Sequence, residues 1–420
     1  MNSPESKTPT VAIACGGTGG HLFPGTAVAQ ELKKRGCKIA LLISPKEIDQ
    51  QAVKSARDVE IFTLPGVGLQ NRNYLSFALN FWKSFRLARN LFKTLKPDAV
   101  LAMGGFTAAP PVLAAGRSRA RTFLHESNTI PGRANRFLAR FVDEAFIGFP
   151  ETKTRLRAKK ISVVGTPVRS QFFGGTANPM AARALGLEPN LPAILVVGGS
   201  QGASGLNQMI LATLPLLAGK NWQWLHLTGV SDFEKVKAGY AAQKVKAVVK
   251  PFLAEMELAL GAATVAVSRA GASSLAEIAA TRLPSLLLPF PAAADNHQFF
   301  NALAFETTGA AKLLEQKDST PEKVAAILRE LVEDKAARAR MQSALAQWQS
   351  PGAAADIAET ILDAVAEKQR LTPTTGTCGC GCAHRHASHG FGNSPRPSAG
   401  ATAPPFPAAA GNGKFMPFDK

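Results

Sequence analysis

Short apolar runs that end in glycine or polar turns recur along this 420-residue chain, and most of them precede a helix-like stretch. In the first such unit, Val11–Cys15 is followed by a helical segment at Ala27–Leu32 and a second strand at Lys38–Ser44. Strands that alternate with helices in this way form parallel sheets with helices on both faces. The sequence therefore predicts an α/β fold with doubly wound sheets.

Two glycine turns, Gly16–Gly20 and Gly198–Gly202, lie about half the chain apart and begin corresponding units. We therefore expect two similar Rossmann-like domains that join near Thr166–Gly175. The last 50 residues contain eight Gly and seven Pro, a composition typical of disorder. The predicted organisation is a flexible N-terminus at 1–10, domains at 11–170 and 171–351, a closing helix at 352–371 and a disordered tail at 372–420.

The net charge of +18 is concentrated in one half of the chain. Residues 1–170 carry 26 basic and 11 acidic side chains, whereas residues 171–370 carry 18 of each. Such an excess predicts an anionic partner, namely nucleic acid, a membrane surface or a phosphorylated substrate, although a basic surface kept for solubility stays open. RNP-type aromatic strands, Cys/His finger spacings and lysine-rich arms are absent from the basic half, which disfavours nucleic acid.

The first ten residues, MNSPESKTPT, lack the basic start and apolar stretch of an export signal. No later segment approaches the roughly 18 to 20 apolar residues of a membrane span. The sequence therefore predicts a cytosolic location.

The first glycine turn places Thr18, Gly19, Gly20 and His21 between a strand end and a helix start. Backbone N–H groups at such a turn can bind a phosphate, although a turn needed only for packing is the alternative. The spacing matches neither a P-loop nor a dinucleotide fingerprint. His21 is a candidate general base, with helix capping or substrate contact as alternatives.

Other strand ends also carry polar groups. The stretch His125–Asn128 offers an imidazole, the carboxylate of Glu126 and an amide, which indicate either a site or buried structural groups. In the second half, Ser268–Glu277 sets a glycine and two hydroxyls before a helix, and Asp295–Gln298 follows another strand. Two helix N-termini at one cleft could bind a diphosphate, and Glu277 could either accept both hydroxyls of a ribose or cap its helix.

Closely spaced carboxylates of the Asp-x-Asp kind, which hold a divalent ion in many sugar-nucleotide enzymes, are absent from the sequence. We therefore expect no metal and no cofactor, and we expect Arg169 to contact a phosphate. The tail cluster from Cys378 to His389 could take up a thiophilic ion, but its C-x-C spacing is tighter than that of structural zinc sites.

The stretch Tyr74–Lys93 predicts a helix with two faces. One face, rich in Phe, suits the core. The other face suits either anionic lipid headgroups or packing against a neighbouring element. Its residues are Leu75, Leu79, Trp82, Arg86, Arg89 and Lys93.

The chain resembles the MurG family of bacterial peptidoglycan synthesis in a combination of motifs. These are GGTGGHLFPG, MGGF, HESN, GTPVR, GGSQGA, SRAGASSLAE and DNHQ. The resemblance runs from about Val11 to about Leu371. It implies a GT-B architecture and inverting, metal-independent transfer of N-acetylglucosamine from UDP-N-acetylglucosamine to the C4 hydroxyl of the muramoyl sugar of lipid I, giving lipid II. It also implies a peripheral position on the anionic cytoplasmic face of the bacterial plasma membrane and a cell-wall synthesis complex as partner, without nucleic acid.

The resemblance further implies roles for individual residues. His21 is the leading candidate for the catalytic base or an acceptor contact, and Glu126 is the second. Glu277 is expected on the ribose, Leu253 beside the uracil and Gln298 on the donor sugar. The full set of implied substrate contacts is Thr18, Gly19, Gly20, Asn128, Arg169, Ser200, Leu253, Ala272, Ser273, Ser274, Leu275, Ala276, Glu277 and Gln298.

Three other functions stay open on the residues alone. A GT-B glycosyltransferase with another acceptor would share the donor site. A sugar-nucleotide epimerase of the same fold would need no acceptor. A non-enzymatic anion-binding protein would account for the basic half but not for the polar strand ends of the neutral half.

Overall fold

A computed structural model describes residues 8–17, 19–45, 59–65, 74–199 and 201–371 of the chain. Their strands form two separate sheets in which every neighbouring pair is parallel. The first sheet has the order β3-β2-β1-β4-β5-β6-β7 and the second has the order β10-β9-β8-β11-β12-β13. The expected α/β fold with two doubly wound domains is confirmed.

The first sheet consists of β1 (Thr10–Ala14), β2 (Lys38–Ile43), β3 (Glu60–Thr63), β4 (Ala99–Ala102), β5 (Arg121–Glu126), β6 (Glu144–Ile147) and β7 (Ile161–Val163). The second consists of β8 (Ala193–Val197), β9 (Gln223–Leu227), β10 (Ala247–Lys250), β11 (Val265–Ser268), β12 (Ser285–Leu287) and β13 (Lys312–Leu313).

The helices surround these sheets. In the first half they are α1 (Gly19–Lys34), α2 (Tyr74–Leu95), α3 (Ala109–Ala115) and α4 (Arg133–Leu138). The remaining helices are α5 (Pro179–Ala184), α6 (Ser204–Thr213), α7 (Phe233–Ala242), α8 (Met256–Ala262), α9 (Ala272–Thr281), α10 (His297–Thr307), α11 (Pro321–Glu333), α12 (Lys335–Ala346) and α13 (Ala353–Leu371). Short 3₁₀ segments cover Phe106–Ala108, Pro150–Arg155, Ser170–Gly174, Leu214–Leu217 and Ala294–Asn296.

Helices on both faces explain why the central strands are continuous apolar runs. All five residues of β1 are buried. Val11 and Ile13 join one core cluster with residues of α1 and α13, whereas Ala12 and Ala14 join another with residues of α2 and α3. The period of two along a strand sends alternate side chains to opposite faces, so both faces must be covered.

The last described helix, α13, returns to the first sheet. Its apolar face packs beside α1 through Ile357, Ile361 and Val365. Arg121 donates a hydrogen bond from Nε to the carbonyl of Ala364 at 3.3 Å and pairs with Glu367. A helix expected from the sequence to close the fold thus ties the C-terminal end of the described chain to the N-terminal domain.

Three strands were not expected from the sequence, namely β3, β6 and β13. Strand β3 is an edge strand with three of its four residues exposed, so it has no apolar run to recognise. Strand β13 has two residues at the other sheet's edge, and β6 begins with a charged residue. Hydrogen bonds to a neighbouring strand, rather than local pattern, define such short elements.

No helix of the described residues is long and apolar enough to cross a membrane. The expected disordered tail at 372–420 lies outside the described residues, as does most of the expected flexible N-terminus.

Candidate active site between the two domains

The carboxyl ends of β5, β8, β9 and β10 and the N-termini of α1 and α9 meet at a cleft of about 440 Å³ between the domains. In the first sheet, β1 lies between β2 and β4, where the chain direction across the sheet reverses. Open α/β sheets bind ligands at such switch points. The cleft is lined by Gly19, Gly20, His21, Phe23, Ser127, Asn128, Val197, Gly199, Leu227, Pro251, Phe252, Leu253, Met256, Gly271, Ala272, Ser273, Ser274, Glu277 and His297.

His21 lies in the first turn of α1 and its ring packs over two glycines of the MGGF motif. A Cβ on Gly104 would lie 2.9 Å from Cε1 of His21 and 2.9 Å from Nδ2 of Asn135. Gly104 and Gly105 have φ values of +110° and +80°, which other residues rarely adopt. The two glycines therefore form a surface without side chains that holds the imidazole at the cleft.

The predicted second candidate, Glu126, is almost fully buried and does not line the cleft. Its Oε1 accepts hydrogen bonds from the backbone and side-chain amides of Asn128, at 2.8 and 3.0 Å. Its Oε2 accepts from Gly132 N–H at 2.9 Å and from Asn135 Nδ2 at 2.8 Å. Four donors occupy this carboxylate, so its contacts hold Asn128 at the cleft wall.

His125 is a buried structural group. Its Nε2 bonds to the carbonyl oxygen of Gly165 at 2.9 Å and its Nδ1 lies 3.2 Å from Ser127 Oγ. Burial lowers the pKa of His125 to about 4, which the bond to Gly165 only partly offsets. The ring is thus neutral at physiological pH, which agrees with the prediction that this motif contains buried structural groups.

Across the cleft, the N-terminus of α9 faces that of α1. Ser273 Oγ donates a hydrogen bond of 2.8 Å to the carbonyl of Gly20. Ala272, Ser273 and Ser274 all line the cleft, so the free N–H groups at the start of this helix point toward it. The two domains therefore present two helix N-termini to one space.

Glu277 lies one turn further along α9, at the wall of the cleft. Burial raises its pKa to about 7, whereas Arg169 lowers it and Glu257 raises it. Arg169 does not line the main cleft but lies behind it, in a small adjoining cavity with Ser273 and Glu277. Its Nη2 is 3.2 Å from Glu257 Oε2, and its guanidinium packs between the rings of Phe23 and Phe172, at 5.5 and 5.2 Å.

Several residues expected at the site are elsewhere. Leu275 is fully buried in the core of the second domain, and Ala276 faces a separate small cavity. Gln298 Oε1 accepts from the backbone N–H groups of Ala270 and Phe290, at 3.3 and 3.0 Å, and thereby connects two loops. Thr18 and Ser200 lie outside the described residues.

Other residues at the cleft were not singled out from the sequence. Phe23 comes two residues after His21 and Met256 three residues after Leu253, but apolar residues next to a motif are indistinguishable from core residues in one sequence. Phe252 is 40% exposed and lies with Leu253 and Met256 on the apolar side of the cleft. This side can stack against a planar base.

A buried amide, Asn301, joins the domains below the cleft. Its Oδ1 accepts from the backbone N–H and the hydroxyl of Thr129, both at 2.9 Å. Its Nδ2 donates to Asn128 Oδ1 at 3.0 Å and to the Ala270 carbonyl at 3.2 Å. This network fixes the HESN turn against the second domain.

Within the described part of the chain, no three His, Cys, Asp or Glu side chains cluster in a way that could hold a metal ion. The cysteine- and histidine-rich segment from Cys378 to His389 falls outside that part.

Comparison with known proteins matches both halves to one group of enzymes. Residues 11–147 match the glycosyltransferase family 28 N-terminal domain, and residues 193–361 match the family 28 C-terminal domain. A solved structure of MurG from Acinetobacter baumannii superimposes with a TM-score of 0.67 at 26% identity, covering 85% of this chain and 99% of that chain.

Curated relatives carry one common name, UDP-N-acetylglucosamine--N-acetylmuramyl-(pentapeptide) pyrophosphoryl-undecaprenol N-acetylglucosamine transferase. One from Anaeromyxobacter sp. (strain Fw109-5) is 35% identical over 364 residues, which are 85% of this chain and 93% of the relative. One from Listeria monocytogenes is 33% identical over 361 residues, 84% of this chain and 98% of the relative. The chain therefore belongs to the MurG family of N-acetylglucosaminyltransferases.

Proposed function

We propose that this protein transfers N-acetylglucosamine from UDP-N-acetylglucosamine to the C4 hydroxyl of the muramoyl sugar of lipid I, giving lipid II and UDP, by an inverting displacement that needs no metal ion. The supporting observation is one cleft that places His21 on the Gly104–Gly105 surface opposite the N-terminus of α9 and Glu277.

The second domain supplies the groups for the donor. The apolar side formed by Phe252, Leu253 and Met256 suits the uracil, and Glu277 suits the ribose because an ionised carboxylate can accept both hydroxyls. The N–H groups at the start of α9, together with Ser273 and Ser274, suit the diphosphate. Asn128, held by Glu126 and Asn301, lies across from them and suits the sugar.

His21 is the proposed base. The first turn of α1 holds its ring at the cleft, where a positioned imidazole can accept a proton from a hydroxyl. The ring accepts the proton of the C4 hydroxyl while that oxygen bonds to the anomeric carbon. The bond from this carbon to the phosphate oxygen breaks, UDP departs with the electron pair, and the imidazolium later releases its proton to solvent.

The departing diphosphate gains negative charge, and the helix N-terminus of α9 stabilises it. We expect Arg169 to stabilise the departing diphosphate through its positive charge. It does so from behind Glu277, without contacting the phosphate oxygens directly. An Arg169→Ala variant with unchanged catalytic efficiency would rule out any such contribution.

The stereochemistry and the metal requirement can be measured together. UDP-N-acetylglucosamine is an α-glycoside, so one displacement gives a β-linked product, which NMR of the isolated disaccharide reports. Activity is expected to be unchanged by excess EDTA, because helix N–H groups rather than a cation stabilise the leaving group. An α-linked product, or a loss of activity with EDTA that Mg²⁺ restores, would contradict this mechanism.

The exposed face of α2 is the proposed membrane contact, on the cytoplasmic side of the plasma membrane. Leu75, Leu79 and Trp82 are 80%, 71% and 57% exposed, whereas Phe85 and Phe92 on the adjoining face are buried. Arg86, Arg89 and Lys93 continue the exposed face toward the helix end. Apolar side chains followed by cations suit the boundary between acyl chains and anionic headgroups.

Replacing Leu75 and Trp82 together by Glu is expected to weaken binding to vesicles that contain phosphatidylglycerol by at least about tenfold, since each buried side chain contributes about 1.5 to 3 kcal/mol. Sedimentation with vesicles measures this. The matched control replaces Met180 and Val230 by Glu, because both are also strongly exposed but lie in the second domain. Equal vesicle binding by wild type and the Leu75/Trp82 variant would exclude this face as the membrane contact.

A further inference from the structure

A second large cavity, a groove of about 830 Å³, lies at the amino ends of strands of the first sheet, whereas the cleft lies at the carboxyl ends. Three separate segments form it: the C-terminal end of α2 with Lys96–Asp98, the loop Arg117–Arg119, and the end of α13 from Val365 to Gln369. The first two segments precede the amino ends of β4 and β5, whereas His21 and Gly104 follow the carboxyl ends of β1 and β4.

The groove is therefore separate from the proposed reaction. From Asp98 to Met103 the chain crosses the sheet in an extended form, a distance of about 16 Å at roughly 3.3 Å per residue. A diphosphate bound at the N-terminus of α9 therefore cannot reach the groove at the amino ends of the strands. The groove also lies beyond the exposed apolar tip of α2, which is at the other end of a 22-residue helix.

The lining of the groove carries six basic side chains and one acidic side chain. The basic residues are Arg89, Lys93, Lys96, Arg117, Arg119 and Lys368, and the acidic one is Asp98. Asp98 Oδ2 accepts a hydrogen bond from the backbone N–H of Thr10 at 2.9 Å, so part of its capacity is used by β1. Much of the positive charge of the first domain is thus concentrated in this groove.

Two features favour a ligand over an ordinary solvated surface. The guanidinium of Arg117 packs over the Phe85 ring at 5.3 Å, which restrains it at the groove wall. The pKa of Lys368 is lowered by burial and by the charges of Arg121 and Arg119, while Asp143 and Asp98 oppose this. Cations that destabilise one another in a concave site gain free energy when an anion binds between them.

We propose that this groove is a second anion site, which binds a ligand with two or more phosphate charges, such as a diphosphate or a bisphosphate. Guanidinium groups from the Arg117–Arg119 loop contact the phosphate oxygens in pairs, and the lysines neutralise the remaining charge. A cavity of this size holds more than a single phosphate ion. The same chemistry is present in a phospholipid headgroup with two phosphates and in a free phosphorylated solute.

The test titrates inorganic pyrophosphate into the full chain by calorimetry, with saturating UDP present so that the cleft is occupied. The groove variant combines Arg119→Asn with Lys368→Gln; Asn tolerates the positive φ of residue 119, which is +58°. The control variant combines Arg157→Asn with Lys153→Gln, two exposed cations of the same half that lie outside the groove. We expect the groove variant to raise the pyrophosphate Kd at least about tenfold and the control to change it less than about twofold.

Cardiolipin vesicles and inorganic pyrophosphate distinguish the two sources. The vesicle comparison uses proteins that also carry Leu75→Glu and Trp82→Glu, so that the exposed face of α2 does not dominate binding. Loss of cardiolipin binding in the groove variant alone then assigns the site to a lipid headgroup, and loss of pyrophosphate binding with unchanged cardiolipin binding assigns it to a soluble ligand. The proposal is overturned if pyrophosphate does not bind in the presence of UDP, or if the groove and control variants weaken binding equally. Neither result bears on the transferase reaction, because the groove is distant from the cleft.

Discussion

Replacing His21 by Ala is expected to lower kcat by about 10²- to 10⁴-fold, the range that positioned general bases contribute. The imidazole is the titratable side chain that α1 presents to the cleft, and the surface of Gly104 and Gly105 holds it there. Steady-state kinetics with UDP-N-acetylglucosamine and lipid I measure this loss. The Kd of UDP should stay within about twofold of wild type, since the donor groups lie in the second domain.

Gly104→Ala provides a companion variant that retains His21. The added methyl group would lie 2.9 Å from the imidazole, so either the ring or the backbone must shift. We expect a reduced kcat with the histidine still present, and a lower melting temperature because φ is positive at this position. If His21→Ala were folded and nearly as active as wild type, His21 would not be the base.

Replacing Glu277 by Ala is expected to raise the Kd of UDP by about 30- to 1,000-fold. A carboxylate that accepts two ribose hydroxyls makes two charge-assisted hydrogen bonds, and their loss costs about 2 to 4 kcal/mol. Calorimetric titration measures this. The control ligand is 2′,3′-dideoxyuridine diphosphate. Because it lacks both ribose hydroxyls, it should bind wild type and variant with similar affinity.

The raised pKa of Glu277 also predicts a pH dependence. With a folded-state pKa of about 7, against an ordinary value of 4.5, the carboxyl of the free protein is largely protonated at pH 6 and ionised at pH 8. Only the ionised form accepts both hydroxyls, so UDP affinity should rise from pH 6 to pH 8. A Glu277→Gln variant should lose this part of the dependence.

The same shift affects folding stability in the opposite direction. The folded state binds the proton of Glu277 more tightly than the unfolded chain, so this group stabilises the fold fully below about pH 4.5. The contribution is lost as pH rises to about 7. The melting temperature of Glu277→Gln minus that of wild type should therefore be larger at pH 8 than at pH 5. An equal difference at both pH values, with unchanged UDP affinity, would contradict the role given to Glu277.

The architecture could be predicted because the information for it is local. Buried parallel strands such as β1 and β8 are continuous apolar runs, and the glycine turns after them mark where helices begin. The edge strands β3 and β13 carry no such pattern, since three of the four residues of β3 are exposed and β13 has only two residues.

The sequence indicated which strand ends carry polar groups, but not which of those groups face the cleft. Glu126 and Arg169 are both polar groups at motif positions, and one sequence cannot show that four donors saturate the first or that Glu257 and two aromatic rings hold the second behind the cleft. Those contacts join residues far apart in the chain. The polar residue Asn301, which connects the domains, gave no signal at all because its partners are in other segments.

The most direct test of the proposed function is the release of UDP from UDP-N-acetylglucosamine, measured with and without lipid I. A transferase with this function releases UDP rapidly only when lipid I is present, in a one-to-one ratio with the lipid II formed. Release at the same rate without lipid I, as an epimerase or hydrolase would give, or no lipid II after complete incubation, would contradict it.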